Sequence, residues 1–445
     1  MQKFFYFLFL KLPLKFIFKI GMFFSFVSSK VQMEWNKIKR ESNSKHNEIE
    51  HPYQILQQFP QKKAITDRPV RICILGEFGE SWDSLDSIWR AFYNDKNCHV
   101  VVVALQNEEY AKTVTCKLED ALIHSEVPFV KPEFYNFDVD QPDVVFFHNP
   151  YEGLREPRFR FSEISKKVAR TIYIPYGFEI GDGKLRKHTQ FNNPIQQYAW
   201  KVFVRSKLFK TMYGKYCESG NRHVVAIGHP MVDAILNIDK TKLNHKLVND
   251  CKGKTVFFWN PHYGETIERN DFSTFLRWKE FLLTLFEKRD DIFLILRPHP
   301  LLFSTLISSN LMNSDELELL MNRIKNNTNI FLDIGANYHA AFSLSDAMLS
   351  DISSFLTLYP VTGKPILYLH NATGPGYHEA GEIIDYFYRG ETEKEILEFI
   401  EMVIEKKDPG LQARMKKLQE HLIMPENGVG FQIKEEVLNA ISLGL

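Results

Sequence analysis

Three short stretches of the chain carry side chains suited to holding a phosphate. Trp259-Asn260-Pro261-His262, Arg297-Pro298-His299-Pro300 and Ser350-Asp351-Ile352-Ser353-Ser354 each follow an apolar run that reads as a buried strand. Ligands of open α/β sheets bind beyond the carboxyl ends of the strands, so these groups are expected to converge there. Arg297 offers a planar fork of donors, and His299 a donor able to hold or pass a proton, which matches the oxygens of a diphosphate. The flanking prolines stop the strand and stiffen the loop. Asp351, Ser353 and Ser354 come where a strand hands over to a helix, whose first-turn N–H groups would meet the same anion. His262, with an ordinary imidazole pKa near 6.5, is the preferred general base, which makes His262 and His299 the catalytic pair. Plainer readings exist for each: an X-Pro turn, an N-cap, a loop histidine. Together the three segments point to a transferase with a nucleotide-diphosphate donor.

In the N-terminal half, Phe146-Phe147-His148-Asn149, Ile174-Pro175-Tyr176-Gly177 and Gly228-His229-Pro230 also end apolar runs. His148, Tyr176, Gly177 and His229 are therefore candidates for the acceptor side of the cleft. No acidic pair or D-x-D stands where it would demand a divalent metal, so the leaving group's charge is expected to meet Arg, His and a helix dipole. No metal and no cofactor are expected.

The elements that must carry these loops alternate strand and helix. Strands are expected at 70–75, 99–105, 143–147, 171–174, 201–204 and 224–227, with helical segments between them. After the polar stretch 239–254 a second alternation follows, with strands at 255–259, 292–296, 330–333, 347–349 and 365–370. The fold class is thus α/β, with two Rossmann-like doubly wound domains facing a cleft. We place a connector at 34–66, an acceptor domain at 67–238, a nucleotide-donor domain at 252–430, and a last helix at 431–445 that packs back across the boundary. A chain of 445 residues fits two such cores better than one.

Lys plus Arg equals Asp plus Glu, 55 each, so no overall field attracts nucleic acid. Five scattered cysteines without a C-x-x-C pair read as reduced thiols in cytoplasm. Residues 1–33 hold five lysines and no acid among many Phe, Leu and Ile. Their uncharged stretches, 4–10 and 20–29, fall short of the ~20 residues needed to cross a bilayer. Lys11, Lys15 and Lys19 share one helical face, the pattern of an amphipathic helix lying in the interface, each lysine worth about 1 kcal/mol at an anionic surface. Lysines inside the apolar core disfavour a signal peptide cut near 27–29. The expected location is the cytoplasmic face of the membrane, held peripherally through residues 1–30.

Four motifs in order resemble the CDP-glycerol glycerophosphotransferase family, which makes teichoic acids and related capsular polymers. They are Gly228-x-Pro230-x-x-Asp233, Arg297-Pro298-His299-Pro300, Ser350-Asp351-x-Ser353-Ser354 and Thr362-Gly363-Lys364-Pro365, and the resemblance spans about residues 140–430. It implies a GT-B arrangement, a CDP-linked polyol donor, a lipid-linked hydroxyl acceptor, and release of CMP. On that model His262 deprotonates the acceptor, Arg297 and His299 hold the diphosphate, and Ser353 and Ser354 bind its remaining oxygens. The chain departs from the family pattern in having Tyr176 before Gly177 where many members have His, Met231 for a usual Arg, and Leu358 for a frequent carboxylate. A GT-B glycosyltransferase using a nucleotide sugar is the nearest alternative, and a non-catalytic scaffold in a polymer-assembly complex the second. A UDP-sugar epimerase shares the architecture but gains little from a lysine-studded membrane helix.

Overall fold

The computed structural model describes residues 60–105, 117–263, 273–335, 337–372, 374 and 376–445. The expected amphipathic segment and most of the connector lie outside them. Apolar runs long enough to be buried on both faces form two parallel sheets. The N-terminal sheet contains β1 (Val70–Gly76), β2 (Cys98–Ala104), β3 (Val144–Phe147), β4 (Thr171–Tyr173), β5 (Lys201–Val204) and β6 (Val224–Ala226) in the order β2-β1-β3-β4-β5-β6. The C-terminal sheet contains β7 (Thr255–Asn260), β8 (Ile292–Leu296), β9 (Ile330–Leu332), β10 (Ala347–Ser350), β11 (Ile366–Leu369) and β12 (Tyr388–Gly390) in the order β12-β11-β10-β7-β8-β9. All residues of β3, β8, β10 and β11 are buried, as a sheet covered by helices on both sides requires.

Strand order decides where a ligand can sit. In the C-terminal sheet the order reverses between β7 and β10, so their carboxyl ends diverge into a crevice; in the N-terminal sheet the reversal falls between β1 and β3. The sequence predicts every strand except β12, whose Tyr-Arg-Gly carries no apolar run.

The last helix, Val429–Ser442, does cross back. Val429, Ile433, Val437 and Ile441 are buried against Ile72, Ile74, Val144 and Phe146 of the N-terminal sheet. Its start is clamped by Asp233, which accepts hydrogen bonds from the N–H groups of Val429 and Gly430, both at 2.9 Å. Gly228 sits at φ +115°, and a Cβ there would lie 2.7 Å from the carbonyl oxygen of Ile423 and from Val429 Cγ2. The G-x-P-x-x-D motif is thus a fastener for this crossing. Phe178, Ile180 and Val232 of the N-terminal lobe share a core with Val256, Phe258 and Met348 of the other, which ties the lobes together.

Among the described residues no helix is long and apolar enough to cross a membrane. The four described cysteines are free thiols, and Cys73, Cys217 and Cys251 are buried.

Candidate functional site

At the β7–β10 reversal the three motif loops knit into one hydrogen-bonded shelf. Asn260, paired in register with Ser350, donates from Nδ2 to the Arg297 carbonyl at 2.8 Å and accepts from Ser353 Oγ at 3.0 Å. Ser350 Oγ stands 3.2 Å from Ser353 Oγ. The N–H groups of Arg297 and His299 bond to the carbonyls of Trp259 and Pro261, each at 2.9 Å, fastening the β8 loop to the β7 loop.

His262 and His299 meet on this shelf, ring centroids 4.8 Å apart, with Tyr263 stacked on the first at 4.8 Å and 4.4 Å from the second. Their tautomers are set by neighbours. His262 Nδ1 lies 2.9 Å from the Tyr263 carbonyl and so carries the proton, which makes Nε2 the acceptor nitrogen. His299 Nδ1 accepts the Leu301 N–H at 3.1 Å, which puts the proton on Nε2. One ring can therefore accept and the other donate at the same place.

Burial pulls His262 down to about 4, a fall opposed by the Tyr263 carbonyl and aided by Arg186, and pulls His299 down to about 3 with help from the charge of His262. The ordinary imidazole value expected for His262 is therefore not met: the ring is neutral at pH 7 and a weak base. A diphosphate beside the pair would raise both values, because an adjacent negative charge favours the imidazolium.

Three donor-side groups take positions that the motifs alone do not indicate. Asp351 is fully buried, and its carboxylate accepts the N–H groups of His262 (2.8 Å) and Thr274 (3.1 Å) and the Thr274 hydroxyl (2.5 Å). These bonds hold the His262 loop from inside the fold. Arg297 turns its guanidinium toward the end of β9, 3.0 Å from the Asp333 carboxylate, donating to the carbonyls of Asn337 and Gly335 at 2.9 and 3.0 Å. The helix after the serines, Phe355–Leu358, is one turn long and passes into a 3₁₀ turn at Pro360, which lacks an N–H to continue it; the expected dipole is correspondingly small. Ser353 is partly buried in the shelf, and Ser354 is exposed.

The two N-terminal histidines lie inside their lobe. His148, wholly buried, accepts the Glu77 N–H at Nε2 (3.1 Å) and pairs through Nδ1 with Ser84 Oγ (3.0 Å) at the β1–β3 reversal. Beside it Glu77 and Arg155 form a buried ion pair at 2.7 Å, so polar side chains fill this crevice from within. His229 is equally enclosed, with Nε2 2.6 Å from the Pro175 carbonyl and Nδ1 accepting the Met231 N–H at 3.3 Å. Burial lowers both, His148 to about 3 and His229 to about 4, and both serve as internal struts. Tyr176 and Gly177 remain partly exposed at the end of β4, and a Cβ on Gly177 would meet open space.

Two groups unmarked by any motif also reach the cleft. Arg186 lies over Gly181, where a Cβ would come 2.6 Å from Nη1, and its charge bears on His262 and Tyr263 of the opposite lobe. His339 bonds across the lobes to Asp83 at 2.8 Å. Neither stands at a spacing that sequence could single out, because their partners are 256 residues away or unrelated in sequence. Among the described residues no group of three or more His, Cys, Asp or Glu is placed to hold a metal ion.

Two parallel, doubly wound sheets joined across such a cleft make a GT-B-like fold. Residues 173–428 match the model of the CDP-glycerol:poly(glycerophosphate) glycerophosphotransferase family, and the chain belongs to that family. It is accordingly a transferase of glycerol phosphate from CDP-glycerol. No curated protein sequence matches it. Among solved structures it is similar to a variant of the wall teichoic acid polymerase TagF (TM-score 0.54, 11% identity, 84% of this chain and 89% of that one). It is also similar to MnaA of S. aureus with UDP (0.54, 15%, 84% and 96%) and to the UDP-GlcNAc 2-epimerase of Neisseria meningitidis (0.55, 13%, 83% and 100%). These likenesses concern the fold, which polymerase and epimerases share; the family match separates them.

Proposed function

We propose that the protein transfers glycerol phosphate, or a related polyol phosphate, from its CDP-linked donor to a hydroxyl of a membrane-linked surface polymer, releasing CMP. The C-terminal lobe, about 252–430, takes the donor, and the N-terminal lobe, about 67–238 completed by the last helix, takes the acceptor. The observation that carries this reading is the shelf at the β7–β10 reversal, where His262 Nε2 accepts and His299 Nε2 donates. The diphosphate rests there with the hydroxyls of Ser353 and Ser354, and its charge draws protons onto the imidazoles, which stabilise the departing CMP. Arg297 holds Asp333, Gly335 and Asn337 beside them, and Asp351 fixes His262. Arg186 adds positive charge from the opposite lobe. Tyr176 and Gly177 line the acceptor's approach. Positioning and charge supply most of the rate, as expected for phosphoryl transfer.

Residues 1–33 bring the enzyme to the cytoplasmic face of the membrane, where such an acceptor is displayed; deleting them is expected to abolish sedimentation with anionic vesicles. The chemistry is tested by incubating the purified chain and a glycerol phosphate primer with CDP-glycerol, CDP-ribitol and common nucleotide sugars. CMP release from CDP-glycerol is expected, and turnover of a nucleotide sugar alone would overturn the proposal in favour of glycosyl transfer.

A further inference from the structure

We infer that the Glu179 carboxylate takes the proton of the attacking acceptor hydroxyl, an assignment that rests on the transferase reading above. Glu179 lies three residues beyond Tyr176, between Phe178 and Ile180, both buried in the core that the lobes share. Its backbone is held at the seam. Arg205 Nη2 donates to the Glu179 carbonyl at 3.3 Å, the Ile180 carbonyl accepts the His378 N–H at 3.0 Å, and Gly181 bridges to Tyr377 of the opposite lobe. The carboxylate itself makes no hydrogen bond and no ion pair among the described residues, and its oxygens are not among the fully enclosed polar atoms. A largely buried carboxylate left without a partner costs stability, and such groups gather at functional sites.

The groups facing it come from several elements. Arg205 from the end of β5 and Arg186 from the helix after Gly183 bring positive charge. Tyr151 from the loop after β3, Tyr173 from β4, and Tyr213 from the helix Lys207–Tyr216 bring neutral hydroxyls. His229, 4.7 Å from the Phe178 ring, and His378 and His421 near Arg205 are all held neutral by burial. Burial wins over the two arginines and pushes the Glu179 carboxyl up to about 7, where a general base works best at neutral pH. His262 and His299 are far weaker bases in the free protein. Arg186, whose charge reaches both Glu179 and His262, links the two sides of the cleft.

The acceptor's O–H proton passes to Glu179, its oxygen pair forms the new bond to the glycerol-bearing phosphorus, and the bond to CMP breaks with its electron pair leaving on CMP. The full chain, assayed with CDP-glycerol and a glycerol phosphate primer, tests this. Glu179→Gln should lower kcat by about 100-fold or more while leaving KM for CDP-glycerol within about threefold, and should erase the acidic limb of the pH profile. Because the folded carboxyl binds its proton more tightly than the unfolded one, the contribution of Glu179 to stability falls as pH rises from 4.5 toward 7. Glu179→Gln should therefore melt higher than the parent at pH 8 and alike at pH 4. Glu179→Asp, a second variant, should keep partial turnover with a shifted limb. Parent-like kcat and pH profile in either variant overturn the inference, whereas a parent chain that releases no CMP overturns the transferase reading instead.

Discussion

Replacing Asp351 separates a residue that positions His262 from one that touches the donor. The bonds its buried carboxylate accepts include three, two from the backbone N–H groups of His262 and Thr274 on one oxygen and one from the Thr274 hydroxyl on the other. Asp351→Ala removes all three and leaves two backbone donors unsatisfied. Bonds to a charged group contribute about 1.5–3 kcal/mol each, so even with partial relaxation the loss should reach about 4–6 kcal/mol, a large share of the ~5–15 kcal/mol that holds a folded protein. Asp351→Asn should behave differently. Its amide oxygen can occupy the place that serves both N–H groups, while its NH₂ donates to Thr274 Oγ, whose hydroxyl rotates to suit. Only the charge is lost, about 1–2 kcal/mol. Urea unfolding of the two variants measures the difference, and CMP release measures the consequence. Asn should retain turnover within about threefold, since His262 stays in place. Equal destabilisation by both substitutions, or a hundredfold loss of turnover in the well-folded Asn variant, would refute the positioning role.

Three further outcomes follow from the geometry. His299→Ala, which deletes the ring nitrogen that donates on the shelf, should lower turnover by about 100-fold or more with the fold intact by circular dichroism; parent-like rates would remove His299 from the site. Gly228→Ala places a Cβ against the Ile423 carbonyl and Val429 at a φ that suits glycine, and should cost about 2–4 kcal/mol in chemical unfolding and expose the last helix to protease. The His339–Asp83 bridge should weaken with rising pH. Burial lowers the imidazole, but the bond to Asp83 and the charges of Asp83 and Asp86 outweigh it, so its folded pKa is raised. The stabilisation is therefore complete below the unfolded value of 6.5 and fades as pH climbs through the higher folded value. Small-angle scattering should show a more open pair of lobes at pH 8 than at pH 6, and His339→Ala should be open at both; a pH-independent parent would sink the idea.

The site was legible in the sequence to the extent that chemistry and local structure coincide. His262, His299 and Ser353 stand two or three residues beyond strands whose apolar runs announce burial, and strand ends converge in any doubly wound sheet. Arg297 and Asp351 carry the same motif signal, yet the structure turns one toward Asp333 and the other into the His262 loop. A motif tells which side chain is present, and packing tells where it points. His148 and His229 looked as available as His262, but neighbouring strands and the Gly228 turn enclose them. Glu179 and Arg186 carry no spacing signal at all.

What the sequence determined by itself is the alternation of buried strands and helices, the two cores, and the loops at which polar groups gather, because these depend on apolar periodicity and on residues adjacent in the chain. The tertiary structure alone decided strand order, the clamping of the last helix's start by Asp233, the tautomers of the two facing imidazoles, and the burial that lowers His262 and His299 while raising Glu179. Those properties arise between atoms far apart in sequence, where desolvation disfavours charge on any group and so lowers an imidazole while raising a carboxyl.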